Sequence, residues 1–518
     1  MTKTLPTRST SGDAFAPEGS DHALVLDLWR RLGDPAAPLP PIELTGRRHT
    51  LPSIFDVSGL ATASIAVATA ALAEWHALGT GRAAEVVRVS REQAAIAFVS
   101  ERHLRPIGWT MPPIWDPIAG DYETQDGWIR LHTNYAHHRT AALAVLGGEA
   151  TREAVAEAVR AWEGDALEQA VVDAGGCAAR MRTRAAWQTH PQGRAVAAEP
   201  LCATSQARGA GAAGTVDHPA APTVPRRPHE AYGGDGCPTG SGRGQSPDDG
   251  MRPLAGLRVL DLTRVIAGPV CTRFLAAWGA EVLRIDAPNF VEAIPVLADT
   301  TAGKRRTRLD LTRDEDRERF EGLLAEADVL VHGYRRDALE RLDYGEARLR
   351  ALAPHLVVTS LCAYGQTGPW AARRGFDSLV QMSCGIAERG QTAAASPRPS
   401  PLPAQALDHG TGYLMAAATI RALTDLHAHG RAASARLSLA RTAEWLLAQE
   451  ETGDPNAARP DAGDVAAATR EVESSFGRLA IVGCPGALGQ ARPGWRITPG
   501  ALGTDAAVWS RVGERTGP

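Results

Sequence analysis

The stretch Leu257-Arg-Val-Leu-Asp-Leu-Thr-Arg-Val-Ile-Ala-Gly-Pro269 decides the fold. An apolar strand, Leu257–Leu262, runs into a turn of small residues, and the turn opens a helix predicted over Val270–Trp278. This order predicts the ligand end of a parallel sheet, because the helix start carries N–H groups that no helical carbonyl satisfies. The alternation continues downstream. Glu281–Ile285, Arg306–Leu311, Asp328–His332 and Leu356–Leu361 read as strands, Glu315–Ala325 as a helix, and Thr411–Ala428 as an Ala-rich helix. Strands separated by helices imply an α/β fold with a doubly wound parallel sheet covered on both faces.

The decisive stretch begins at residue 257, so what precedes it needs its own account. A chain of 518 residues holds two to four compact units. Residues 1–21 read as a disordered leader, and 22–204 as a helical unit followed by a small α/β domain. That first unit contains an Ala-rich helical stretch from Leu51 to Leu78 and a hairpin around Asp126-Gly127. It closes with two helices, Glu153–Trp162 and Asp165–Ala174, stopped by Gly175-Gly176. Residues 205–250 are rich in Gly, Pro, Ala and Ser and read as a flexible linker, since they cannot bury enough apolar surface to offset ordering entropy. Residues 251–450 form the α/β domain, and 451–518 a C-terminal segment without a strong signal.

Composition excludes several function classes. With 55 basic and 59 acidic residues the net charge is −4, so nothing draws the chain toward nucleic acid or an anionic membrane. Leu60–Leu72 is too short for a membrane span, and no signal peptide opens the chain, so a cytoplasmic location is expected. The seven cysteines stand singly, without CxxC or nearby His at zinc spacing, so no metal site is expected.

The chain also echoes itself. Phe55-Asp56 leads into an Ala-rich helix, a Gly turn and Val87-Arg-Val-Ser90; Leu407-Asp408 leads into a similar helix, Gly430 and Ser434-Ala-Arg-Leu-Ser438. Two compositionally similar helix–strand units would produce the likeness by chance, but the shared order of Asp, helix, Gly and Ser favours common ancestry.

Several ordered motifs together carry a resemblance. They are Leu254–Thr263 with Ala267-Gly268-Pro269, Leu275-Ala-Ala-Trp-Gly-Ala-Glu-Val-Leu-Arg-Ile285, Gly303-Lys304-Arg305 with Leu309-Asp310-Leu311, Ala327–Val331, Tyr364-Gly-Gln-Thr-Gly-Pro369, Gly375-Phe376-Asp377, Gln381 and Gly385. Over this span the chain resembles the family III CoA-transferases, which include formyl-CoA and carnitine-CoA transferases and the α-methylacyl-CoA racemases. The resemblance implies a Rossmann-like domain plus a smaller α/β domain, usually in a homodimer of interlocked rings. The first 200 residues look like the family's other half, so the halves stand in inverted order, by circular permutation or as a tandem whose first copy lost its nucleotide half.

The activity implied is transfer of CoA between an acyl-CoA and a carboxylic acid through an aspartyl-CoA intermediate. Coenzyme A is then a substrate, and no permanently bound cofactor is expected. Ile266, Ala267 and Gly268 are the candidate turn for CoA, with a tight packing turn as the competing role. Lys304, with Arg305 and Arg306, either pairs with CoA phosphates or forms a solvated basic cluster. Arg341 falls where the transferases hold CoA, or is a surface helix charge. Arg335-Arg336 replaces the usual Arg-Pro pair.

The catalytic set departs from both branches. The loop Gln391–Gln405, where the transferases keep their nucleophile, has no Asp or Glu, and Phe376 stands where the racemases have His. The covering glycine run is reduced to Ala119-Gly120. Asp377 and Asp408 remain as catalytic candidates, each also suited to a structural role; for Asp377 that role is capping the helix that follows it. Glu388 is expected to be exposed, and Cys362 and Cys384 buried and inert. A non-catalytic acyl-CoA-binding protein and an acyl-CoA racemase or epimerase are the alternatives.

Overall fold

The structure, a computed structural model, describes residues 20–206, 251–335, 337–449 and 451–510. The expected leader up to residue 19 and the expected linker from residue 207 lie outside the described residues. Seven strands build the main sheet: β1 (Ala203–Gln206), β2 (Arg258–Leu262), β3 (Glu281–Asp286), β4 (Lys304–Arg308), β5 (Val329–His332), β6 (Val357–Cys362) and β7 (Ala433–Ser438). Their order is β4-β3-β2-β5-β6-β7-β1. The six from β2 to β7 are parallel, and β1 is antiparallel to β7. The strand order reverses between β2 and β5, and ligands of such sheets bind beyond the carboxyl ends at that switch point. The turn after β2 leads away from it.

Several predicted boundaries move, among them the start of the helix expected at Thr411, which lies at Ala406. The helix after β2 begins at Ala267 instead of Val270, because Pro269 fits a first turn that needs no N–H from it. The strand expected at 306–311 is β4 at 304–308, and Asp310 then accepts from Thr312 N–H in a turn.

Five helices matter for the site: α1 (Val57–Thr80), α2 (Ala267–Ala277), α3 (Asp377–Ser383), α4 (Ala406–His429) and α5 (Leu439–Leu447). Helix α1 is apolar all round, as suits a helix enclosed by protein. It is long and apolar enough to cross a bilayer, but nearly all of it is buried inside the protein. Helix α4 packs between α1 and α2. Small residues allow the close approach: a Cβ on Gly410 would stand 3.1 Å from Leu60, and one on Gly412 only 2.5 Å from the Ala267 carbonyl.

The echo is structural. Helices α1 and α4 each run 24 residues, start from residues with matching φ/ψ (Asp56 at −75°/63°, Gln405 at −75°/61°) and end on left-handed glycines, Gly81 and Gly430. Strand Ile42–Thr45 precedes α1 and pairs in parallel with Val87–Ser90, as β6 pairs with β7 around α4. Ser90 then caps one helix through Gln93 N–H, and Ser438 caps α5 through Arg441 N–H. A strand–helix–strand–cap unit therefore occurs twice among the described residues. The register also corrects the sequence match. Asp56 corresponds to Gln405, so Gly59 stands where α4 carries Asp408.

The expected division into domains needs revision. Strand β1 closes the first unit yet forms the edge of the main sheet, so a boundary at residue 204 cuts through it. Asp21, expected in the leader, is buried and pairs with Arg91 at 2.7 Å. The C-terminal segment is also ordered. Strands Thr469–Val472 and Leu479–Val482 continue onto Arg105–Pro106, and Ala487–Leu488 adds to Val87–Ser90. One apolar core therefore joins both halves, from Trp29, Leu60 and Trp187 to Phe274, Leu414 and Trp445. The smaller α/β domain has its own core (Ile118, Tyr122, Ile129, Leu131, Val155 and Leu167) beneath strands Gly120–Thr124, Gly127–Leu131 and Ala178–Arg180.

Candidate active site

Where the two halves meet, a cavity of 320 Å³ opens at the turn after β2. Val265 and Ile266 line it from the second half; Glu101, Arg102, Trp115 and His132 line it from the first. Val265 is left-handed, with φ 66°, a conformation that costs a β-branched residue on the order of 1–3 kcal/mol. A buried network holds it. Glu292 Oε1 accepts from Val265 N–H at 3.0 Å and from the Tyr135 hydroxyl at 2.9 Å, and Arg284 donates to Glu292 Oε2 at 3.0 Å. Tyr135 belongs to the first half, so the turn is set by both. Gly268 lets the first turn of α2 close, since a Cβ there would stand 2.4 Å from the Thr263 side chain.

Asp377 and Asp408 both reach this cavity, and the structure separates their roles. Asp377 is fully buried at the start of α3. Its Oδ2 accepts from the backbone N–H groups of Leu407 at 2.8 Å and Asp408 at 3.0 Å, and its Oδ1 accepts from Gln381 Nε2. The carboxylate therefore caps α4, a helix 30 residues away, and not the helix it begins, as expected from sequence. Gln405, at the cap position itself, makes no side-chain cap bond. Burial pushes the Asp377 pKa up against the pull of these hydrogen bonds.

The Asp408 carboxyl is different. None of the described residues donates a hydrogen bond to it, although its own N–H is held by Asp377. Burial, then the charges of Asp377 and Glu101, raise its pKa well above the ordinary carboxylate range. Glu101 is the third acid. Burial pushes it up, but His409, with Nε2 at 3.2 Å from its Oε2, outweighs burial and leaves it below the usual range. Asp408 thus lies beside the Glu101–His409 pair and takes no hydrogen bond from the described residues.

An imidazole completes the cavity from the other half. His132 stacks on Phe376 with ring centres 3.6 Å apart and planes 2° from parallel. Burial, with smaller contributions from His138 and Arg130, lowers its pKa to about 3, so the ring is neutral. Sequence reasoning missed Glu101, Arg102 and His132. The polar run Ser100-Glu-Arg-His103 directly after the apolar Ala94–Val99 was the available signal for the first two; nothing local marks His132.

Of the CoA-site candidates, the structure brings Ile266 to the cavity wall, with Ala267 and Gly268 beginning α2 behind it. Two others are not brought there. Lys304 is fully buried, with Nζ 2.9 Å from Asp261 Oδ2 and 3.2 Å from the Pro269 carbonyl, so its charge is matched inside the sheet. Arg305 and Arg306 are likewise engaged, donating to the Val508 and Thr498 carbonyls. Arg341 is exposed on a short 3-10 turn and pairs with Asp337. Cys384 is buried, and burial pushes both its thiol and that of Cys362 up to about 12. Glu388 is half-buried and accepts from Thr392, away from the cavity. A second cavity of 470 Å³ lies against β6 and β7 and reaches His332 and Tyr334. Arg264, the neighbour of Val265, donates to the hydroxyl of Tyr334 at 3.4 Å, and Tyr334 lines the second cavity.

Residues 254–472, which hold β2 to β7 and both aspartates, match the family model described as CoA-transferase family III. Among curated relatives, the acetyl-coenzyme A transferase nodX of Hypoxylon pulicicidum is 31% identical over 213 residues, covering 40% of this chain and 36% of nodX. The succinyl-CoA:glutarate CoA-transferase of Mus musculus is 32% identical over 173 residues, covering 31% of this chain and 39% of the mouse protein. The crystal structure of Rv3272 from M. tuberculosis is similar at 28% identity with a TM-score of 0.36, over 39% of this chain and 59% of that one. The chain thus spans less than two thirds of each of these proteins.

Proposed function

We propose that the protein moves CoA between an acyl-CoA and a carboxylic acid, with Asp408 as the nucleophile. The observation that carries this is the contrast between the two aspartates: Asp377 is saturated with hydrogen bonds, and Asp408 faces the cavity with none from the described residues. The Asp408 carboxylate attacks the thioester carbonyl and expels CoA as thiolate, leaving a mixed anhydride. The thiolate attacks the aspartyl carbonyl, releases the first acid and forms the aspartyl-CoA thioester. A second carboxylate repeats the sequence in reverse. The start of α2 beside Ile266 favours the negative charge that develops on the carbonyl oxygen. Coenzyme A enters as substrate, its nucleotide end lying past Arg264 toward the larger cavity. Asp408 attacks only when ionised, so activity rises with pH through its raised pKa.

Trapping tests the reading. After incubation with an acyl-CoA, hydroxylamine should leave a modified Asp408 detectable by mass spectrometry, absent in Asp408→Asn. CoA binding with no adduct would identify a non-catalytic acyl-CoA binder.

One observation favours a second reading, an acyl-CoA racemase or epimerase. The histidine missing at Phe376 is replaced by the His132 ring stacked upon that side chain. A neutral imidazole and a protonated Asp408 could remove and return an α-proton. Deuterium entering the α-position from solvent, lost in His132→Phe, is its signature.

A further inference from the structure

We infer that the cavity accepts an uncharged, apolar acyl group and discriminates against a dicarboxylic one; this rests on the CoA reading above and narrows it to a substrate class. The wall away from the acids is apolar, made by Met111, Ile114, Trp115, Pro295, Val296 and Phe376. The charged groups are unbalanced. Glu101, Asp377 and Asp408 are all acidic, and among the described residues Arg102 is the one arginine or lysine lining the cavity. Arg102 donates Nη1 to the Pro403 carbonyl at 2.8 Å and has Nε 3.8 Å from Glu101, and its half-exposed guanidinium is shared between these groups and solvent. His132 adds no charge.

A second carboxylate on the acyl chain would enter a space where, among the described residues, three acids face one half-exposed arginine, and a poorly paired buried carboxylate is costly. An apolar chain gains about 25 cal/mol per Å² removed from water against the same wall. An adjoining space of 180 Å³ contains Arg130, the place where a carboxylate could still go, but Arg130 Nη1 is 2.7 Å from Asp121 Oδ1. A cavity of 320 Å³ is at the small end for ligand sites, which limits the acyl group to a short or branched chain or a single ring.

Calorimetry on the full chain with isovaleryl-CoA, succinyl-CoA and free CoA tests the inference. Isovaleryl-CoA should bind at least ten-fold more tightly than succinyl-CoA, and Trp115→Ala should reduce that ratio several-fold. Ile114→Arg, which supplies a cation on the apolar wall, should shift the preference toward succinyl-CoA. Equal or tighter binding of succinyl-CoA by the unaltered protein overturns the inference, and its loss in Arg130→Gln would locate the carboxylate. If free CoA and both thioesters fail to bind, the CoA reading falls with it, an outcome distinct from a reversed preference.

Discussion

Asp377 Oδ2 accepts the backbone N–H of Asp408 at 3.0 Å, so one aspartate orients the other while leaving its carboxyl untouched. The same oxygen holds Leu407 N–H at 2.8 Å. Asp377 is therefore a positioning residue, and the loop that supplies it determines where α4 begins.

Asp377→Ala removes a cap and strands buried N–H groups. The expected cost is about 2–4 kcal/mol, combining a lost cap with unsatisfied donors. Chemical denaturation measures it, and a loss under 0.5 kcal/mol would contradict the capping role.

Asp408→Asn should separate stability from activity. The folded state binds the Asp408 proton more tightly than the unfolded chain, so this group's stabilising contribution is present at low pH and lost as pH rises above the ordinary aspartate value. The variant should melt at a higher temperature than the parent at pH 7–8, with the difference shrinking toward pH 4. Acyl transfer should be abolished at every pH. A lower melting temperature at pH 8 would argue against an unpartnered buried carboxyl.

His132 predicts an acid limb of opposite sign. Its folded pKa near 3 lies below the ordinary imidazole value, so its contribution is complete above about pH 6.5 and is lost as pH falls toward 3. His132→Phe should flatten the stability profile in that window by up to about 1.4 kcal/mol per pH unit. Parallel profiles for the two proteins would mean that the ring is solvated.

Gly412→Ala tests the packing of α4 on α2. The added methyl would lie 2.5 Å from the Ala267 carbonyl and 2.8 Å from Val270 Cβ, forcing apart α2 and the helix that carries Asp408 to the cavity. Overpacking of this kind costs about 1–3 kcal/mol. Gly430→Ala, at the exposed end of α4, lacks a steric neighbour and should cost less, through its left-handed φ alone.

Much of the fold was legible because parallel strands and their helices carry local signals, and β2, β3, β5 and β6 begin and end within two residues of expectation. The placement of Asp377 was not legible. Its hydrogen bonds cross 30 residues of chain, and a carboxylate that caps a distant helix looks in sequence like one that caps its own. Lys304 misled for a related reason. A lysine beside two arginines suggests a surface cluster, but alternation within β4 turns it inward to Asp261. Glu101 and His132 escaped notice because the chemistry near Asp408 comes from the half of the chain read as its scaffold.

The recurring unit makes the seam between α1 and α4 asymmetric by residue. In a two-fold dimer each substitution falls on both sides of the axis, so a position facing itself must suit two environments at once. Here Leu60 meets Gly410, and the position of Asp408 on one helix is Gly59 on the other, where a Cβ would collide with Asp56 and Leu24. Each side of the seam is written by its own codons. One helix can therefore be tuned for packing and the other for chemistry, a freedom that a single repeated sequence does not have.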